Sequence, residues 1–148
     1  MKKIFIAICI LFTISFASAQ QTRNVGDIIM VNGEFGVVFA ITTDGQHGKA
    51  LCVTQSKCGW SNAKSWCLQI GNNWKLPTKD ELRIIYHRKD ILNASLKSAG
   101  YYTIQEGNYW CLNSRGEVIE SPLAVGYGGT VGSDPRIGTC MVCAVSIF

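Results

Sequence analysis

The stretch Asn72-Asn-Trp-Lys-Leu-Pro-Thr-Lys-Asp-Glu-Leu-Arg-Ile-Ile-Tyr86 carries more start signals than one short helix needs. Pro77 keeps the residue before it out of the α region, so the chain arrives extended. Thr78 is a good N-cap, and Glu81 three positions later completes a capping box. Asp80 and Glu81 place negative charge at the positive end of the helix dipole. Leu82, Ile85 and Tyr86 then fall on one face, with Arg83, Arg88 and Lys89 mostly elsewhere, which predicts a helix over 79–89.

Upstream of this helix, residues 61–70 (Ser-Asn-Ala-Lys-Ser-Trp-Cys-Leu-Gln-Ile) read as a shorter one, capped by Ser61 or Asn62 and ended by Gly71. Further upstream the pattern is β-rich. Asn32-Gly33 and Asp44-Gly45 are hairpin signals between apolar runs, placing strands near 27–31, 35–42 and 49–54. Downstream, residues 101–104 (Tyr-Tyr-Thr-Ile), 108–112 (Asn-Tyr-Trp-Cys-Leu) and 116–120 (Gly-Glu-Val-Ile-Glu) read as short strands. A glycine-rich loop spans 126–138, and the apolar run 139–148 reads as one buried terminal strand. Strands, two helices and strands again make an α+β chain.

The first nineteen residues have the layout of a secretory signal peptide. Lys2 and Lys3 precede an apolar run from Ile4 to Phe16, and Ala17-Ser18-Ala19 fits a cleavage site. The apolar run is too short for a membrane span, and no other stretch approaches the roughly eighteen apolar residues that one needs. The expectation is an exported protein, periplasmic, secreted or at the cell surface, whose residues 20–148 form a single domain. Such a length can bury about two-thirds of its unfolded surface. Without Lys2 and Lys3 the 14 basic residues fall to 12, against 10 acidic ones. That near balance, with no basic run or stacking motif, argues against a nucleic-acid partner.

Beyond Cys9, in the apolar run, six cysteines remain: Cys52, Cys58, Cys67, Cys111, Cys140 and Cys143. An even count in an oxidising compartment points to disulfides, with 15 possible pairings. A spacing of three in a strand turns Cys140 and Cys143 to opposite faces, so these two are not expected to bond each other.

Taken together, the cysteine-bearing first helix, Trp74-Lys75-Leu76-Pro77-Thr78 running into Asp80-Glu81-Leu82, Tyr109-Trp110 and the apolar last strand resemble the bacterial C-type-lectin-like domains of the Lcl C-terminal type. Those domains occur in collagen-like adhesins and in exported proteins, and the similarity covers roughly Lys49 to Phe148. The family's Tyr-Trp-Ser-Ser is here Tyr109-Trp110-Cys111-Leu112, and Cys140 and Cys143 stand where its last strand often carries arginines. The resemblance implies a C-type-lectin-like fold, with two helices flanking a small twisted antiparallel sheet stapled by disulfides. It also implies a bridge from the first helix to the last strand, Cys67 to Cys143, with Cys140 as the alternative.

Three functions follow as expectations. The first is a non-catalytic binding module for a glycan or protein. Tyr127, Asp134 and Arg136 in the 126–138 loop would supply a stacking face, an acceptor and a bidentate donor. Lectins of this fold bind calcium through Glu-Pro-Asn or Gln-Pro-Asp with Trp-Asn-Asp. None of Pro77, Pro122 or Pro135 sits in such a motif, so recognition without calcium is expected. The second is a thiol- or copper-dependent oxidoreductase using Cys140 and Cys143. Formylglycine-generating enzymes share the lectin-like fold and hold copper with a late cysteine pair, although at wider spacing. The third is a structural subunit of a surface assembly. His47 and His87 lack ligand spacing, and no P-loop, nucleophile elbow or dinucleotide fingerprint occurs, so no metal and no cofactor is expected. Trp60, Tyr101, Tyr102 and Trp110 read as core or disulfide-packing aromatics rather than a binding platform.

Overall fold

A computed structural model describes residues 21–122 and 138–148. The order is β1 (Ile28–Val31), β2 (Glu34–Ile41), β3 (Gly48–Cys52), β4 (Ser56–Gly59), a 3-10 turn (Trp60–Asn62), α1 (Ala63–Ile70), α2 (Lys79–His87), α3 (Lys89–Ser98), β5 (Asn108–Leu112), β6 (Val118–Pro122), β7 (Thr139–Val142) and β8 (Val145–Ile147). The chain is α+β, and among the described residues it forms two four-stranded sheets. One runs β1-β2-β3-β8 and the other β4-β7-β5-β6. The expected single antiparallel sheet and two helices are thus corrected to two sheets and three α-helices among the described residues. One contact in the second sheet, Tyr109 with Met141, is parallel.

Strand β2 explains the layering. Val37, Val38 and Phe39 are all fully buried, so both faces of the first sheet are covered. Val37 and Phe39 join Leu51, Leu82, Ile85, Leu92, Leu96 and Tyr109 in a core beneath α2 and α3. Val38 faces the other way, into a core with Ala50, Ala63, Cys67, Trp74, Leu76 and Trp110 beneath α1. The alternation of side chains along a strand splits adjacent residues between the two cores.

The opening stretch stitches the sheets together. Trp74 and Leu76 are buried. Between them, the Lys75 backbone exchanges hydrogen bonds with Val145 of β8 at 3.0 and 2.8 Å. Two residues on, the Pro77 carbonyl accepts from the Leu112 N–H of β5 at 2.8 Å. The helix that follows starts as its sequence dictates. Thr78 Oγ1 accepts from the Glu81 N–H, and Glu81 Oε2 accepts from the Thr78 N–H at 2.8 Å.

Other elements depart from expectation. The helix over 79–89 ends at His87, and a new one, α3, begins at Lys89. Residues 101–104 are not a strand. Instead the Asn93 side chain accepts from the Ile104 N–H at 2.7 Å and donates to its carbonyl at 3.2 Å, standing in for a strand partner. Helix α1 has no side-chain cap from Asn62, its N-cap residue, and Ser61 lies in the preceding 3-10 turn. Gly71 ends α1 in an extended conformation, not a left-handed one, and a Cβ there would stand 3.0 Å from the Trp74 ring. The terminal run 139–148 divides into β7 and β8 at Cys143 and Ala144, because its halves belong to different sheets.

Candidate functional site

Of the three loop residues expected to bind a ligand, Tyr127, Asp134 and Arg136 all lie outside the described residues. The described part of the chain offers a different recess. A groove of about 290 Å³ is lined by Trp60, Ser61, Lys64, Gly116, Glu117 and Val118. The expectation that Trp60 and Tyr102 belong to the core is corrected, since they are 38% and 89% exposed, whereas Trp110 is fully buried as expected.

Local sequence builds both walls of this groove. On one side, the Asn113-Ser114-Arg115-Gly116 turn is organised by a single side chain. Asn113 Oδ1 accepts from the Arg115 and Glu117 N–H groups, each at 2.9 Å, and Asn113 Nδ2 donates to Glu117 Oε2 at 2.7 Å. Gly116 takes a φ of +76°, a conformation that favours glycine at this turn. On the other side, the 3-10 turn and α1 present Trp60 and Lys64 one helical turn apart. The walls are tied twice: Trp60 Nε1 donates to the Val118 carbonyl at 2.9 Å, and Lys64 Nζ donates to the Gly116 carbonyl at 3.0 Å.

The first of those bonds fixes the indole while part of the ring stays in solvent. The result is a preorganised aromatic surface with a cation, Lys64, and an anion, Glu117, on its rim. An amine with one bond used retains two donor hydrogens, and a carboxylate retains open acceptor sites. This set can stack on an apolar face and hydrogen-bond to polar groups around it.

The cysteines gather where the two sheets and α1 meet. Cys52, Cys67, Cys140 and Cys143 are buried, Cys58 is half-buried, and all five are free thiols in the structure. Cys111, also buried, is in β5. Cys140 faces the core around Trp110 and Cys143 the core around Tyr109, so the two point to opposite faces as expected. Cys67 Sγ lies 3.7 Å from the Cys143 carbonyl oxygen. Burial pushes the Cys140 thiol up to about 11 and holds Cys143 well above the usual thiol range. Redox Cys-x-x-Cys pairs need the opposite, a thiol whose pKa is lowered at a helix N-terminus. Here the first cysteine sits in a strand.

Among the described residues, no group of three or more histidine, cysteine, aspartate or glutamate side chains is placed to hold a metal ion. Nor is any described helix long and apolar enough to cross a membrane. In comparisons with known proteins, no family model and no curated protein matches the chain.

The sequence could have pointed to the groove in one way only. Trp60 is followed by Ser61, Asn62 and Lys64, a polar setting for a tryptophan, and Asn113 to Gly116 is a recognisable turn. That the two segments meet is a tertiary fact.

Proposed function

We propose that the chain is an exported, non-catalytic binding module with a C-type-lectin-like fold, and that it recognises a glycan or protein without calcium through a face that includes the Trp60 groove. The observation that carries this reading is the partly exposed indole of Trp60, locked by its bond to Val118 and flanked by Lys64 and Glu117. Rigid aromatic anchors of this type lose little conformational entropy on binding, which is why they dominate recognition surfaces. The lectin-like reading draws support from the α+β architecture and from the place of Cys67 on α1 beside the backbone carbonyl of Cys143, whose own side chain faces the other core. Tyr127, Asp134 and Arg136 are kept as proposed ligand contacts on the chemistry of their side chains alone: a stacking ring, an acceptor and a bidentate donor.

The test is a glycan array probed with the protein encompassing residues 20–148 in the presence of a calcium chelator, followed by titration of any hit by isothermal calorimetry. Saturable binding that weakens at least tenfold in Trp60→Ala supports the reading, since losing an aromatic anchor costs about 1.4 kcal/mol or more. Equal binding by wild type and Trp60→Ala would remove the groove from the site. Equal binding by Tyr127→Ala and Arg136→Ala would remove the loop. No saturable binding to glycans would leave a protein ligand as the remaining form of the proposal, tested by cross-linking at position 60 in the native host.

A further inference from the structure

Strand β4 lies at the edge of the second sheet and pairs antiparallel with β7. In that register Cys58 stands directly opposite Cys140. Directly opposed residues of an antiparallel pair point to the same face. Their Cα atoms are about 4.5 or 5.5 Å apart, depending on the position in the ladder. Both values fall inside the span a disulfide bridges, about 4.4–6.8 Å between Cα atoms. Burial agrees with the register: Cys140 is 6% exposed and belongs to the core around Trp110, and Cys58 packs against that same core. Cys143 is turned to the opposite core and is not a competitor for Cys140.

We propose that Cys58 and Cys140 close as a cross-strand disulfide when the chain is oxidised. The oxidant is a second disulfide, small-molecule or protein-borne. Cys58, the more accessible thiol, loses its proton to solvent and attacks one sulfur of that disulfide, releasing the other as a thiol. Cys140 then loses its proton and attacks the Cys58 sulfur, releasing the second thiol. The two cysteines give up two protons and two electrons, and the oxidant is reduced to two thiols. The bridge locks the edge strand two residues before Trp60, and it excludes Cys140 as the last-strand partner of Cys67. It rests on strand register and does not depend on the binding reading.

The experiment uses residues 20–148, reduced, refolded and oxidised with glutathione disulfide, then alkylated and digested with trypsin without reductant. Cleavage after Lys57, Lys64 and Arg136 yields the peptides 58–64 and 137–148. In a Cys143→Ser variant the second peptide carries Cys140 alone, so a linked species of the two peptides, lighter by two hydrogens, assigns the bond. The same bond is read in the wild type from fragment ions that separate Cys140 from Cys143. A Cys58→Ser variant should leave Cys140 alkylated where the wild type leaves it blocked. Recovery of alkylated Cys58, linkage of 58–64 to any other peptide, or a still-blocked Cys140 in Cys58→Ser would overturn the assignment. Because oxidation is imposed in vitro, a chain that stays fully reduced in its host would count against export and leave this pairing standing.

Discussion

Replacing Glu81 tests the segment that joins the sheets to the second helix. Glu81 is 5% exposed, and its carboxylate makes two charge-assisted bonds, from the Thr78 N–H at 2.8 Å and from Lys49 Nζ at 2.6 Å. A hydrogen bond to a charged group contributes about 1.5–3 kcal/mol net. The Lys49 side chain is 43% exposed and rehydrates when its partner is lost, which puts that bond at the low end. Glu81→Ala also strips its half of the capping box, so a cost of about 2–4 kcal/mol is expected. Glu81→Gln keeps an acceptor for the Thr78 N–H and loses the attraction to Lys49, for about 1–2 kcal/mol. Urea unfolding at pH 7 measures both, as a shifted midpoint at constant m-value. Acid adds a second signature. Burial pushes the Glu81 carboxyl up, but Lys49 and the Thr78 N–H outweigh it, and the folded pKa lies below the ordinary value. A depressed carboxylate contributes stability that is complete above the unfolded value, about 4.3, and is lost as pH falls through the folded value. The gap between wild type and Glu81→Gln should therefore be full near neutrality and close as acid is added. A cost below about 0.5 kcal/mol for Glu81→Ala, or a gap that widens in acid, would refute the reasoning.

Gly48 and the thiols yield two further outcomes. A Cβ on Gly48 would collide with the Ala40 carbonyl oxygen and stand 2.9 Å from the Phe148 ring, so Gly48→Ala should destabilise by about 1–3 kcal/mol, read as a lower Tm in calorimetry. Burial, with Cys58 and Cys52 nearby, pushes the Cys67 thiol up to about 12. Iodoacetamide labelling of the buried Cys67 in the reduced folded protein should then be about tenfold or more slower at pH 8 than after unfolding in urea, and equal rates would contradict it.

How far the sequence could be read depended on whether a signal was local. The start of α2 was fully legible because Thr78 and Glu81 satisfy each other within four residues. The hairpin at Asn32-Gly33 was legible for the same reason: both residues take positive φ, 48° and 87°, which few residue types tolerate. Helix α3 was hidden because it starts without a side-chain cap, directly behind basic residues that read as the end of α2. The β-branched and aromatic run 101–104 suggested a strand, but Asn93 took up the backbone groups of Ile104. The division of 139–148 left no glycine or proline to mark it, since it arises from which sheet each half joins. Trp60 shows the same limit at the candidate site. Its exposure is decided by a bond to Val118, 58 residues away, that no local pattern encodes. Likewise, six cysteines permit 15 pairings until a register sets Cys58 against Cys140.

The pairing of β8 with β3 bears on how the molecule assembles. Lys49 meets Ile147 across a gap of almost a hundred residues, and Lys75 meets Val145 across about seventy. Contacts this distant in sequence must absorb a large loop-closure entropy before they return any stabilisation, and chains dominated by them fold slowly. The N-terminal hairpins can form early, yet one edge of their sheet stays open until β8 arrives. An unpaired edge of that kind invites association with other chains. The interval before closure is thus the period in which this protein is most exposed to aggregation and most open to handling by chaperones.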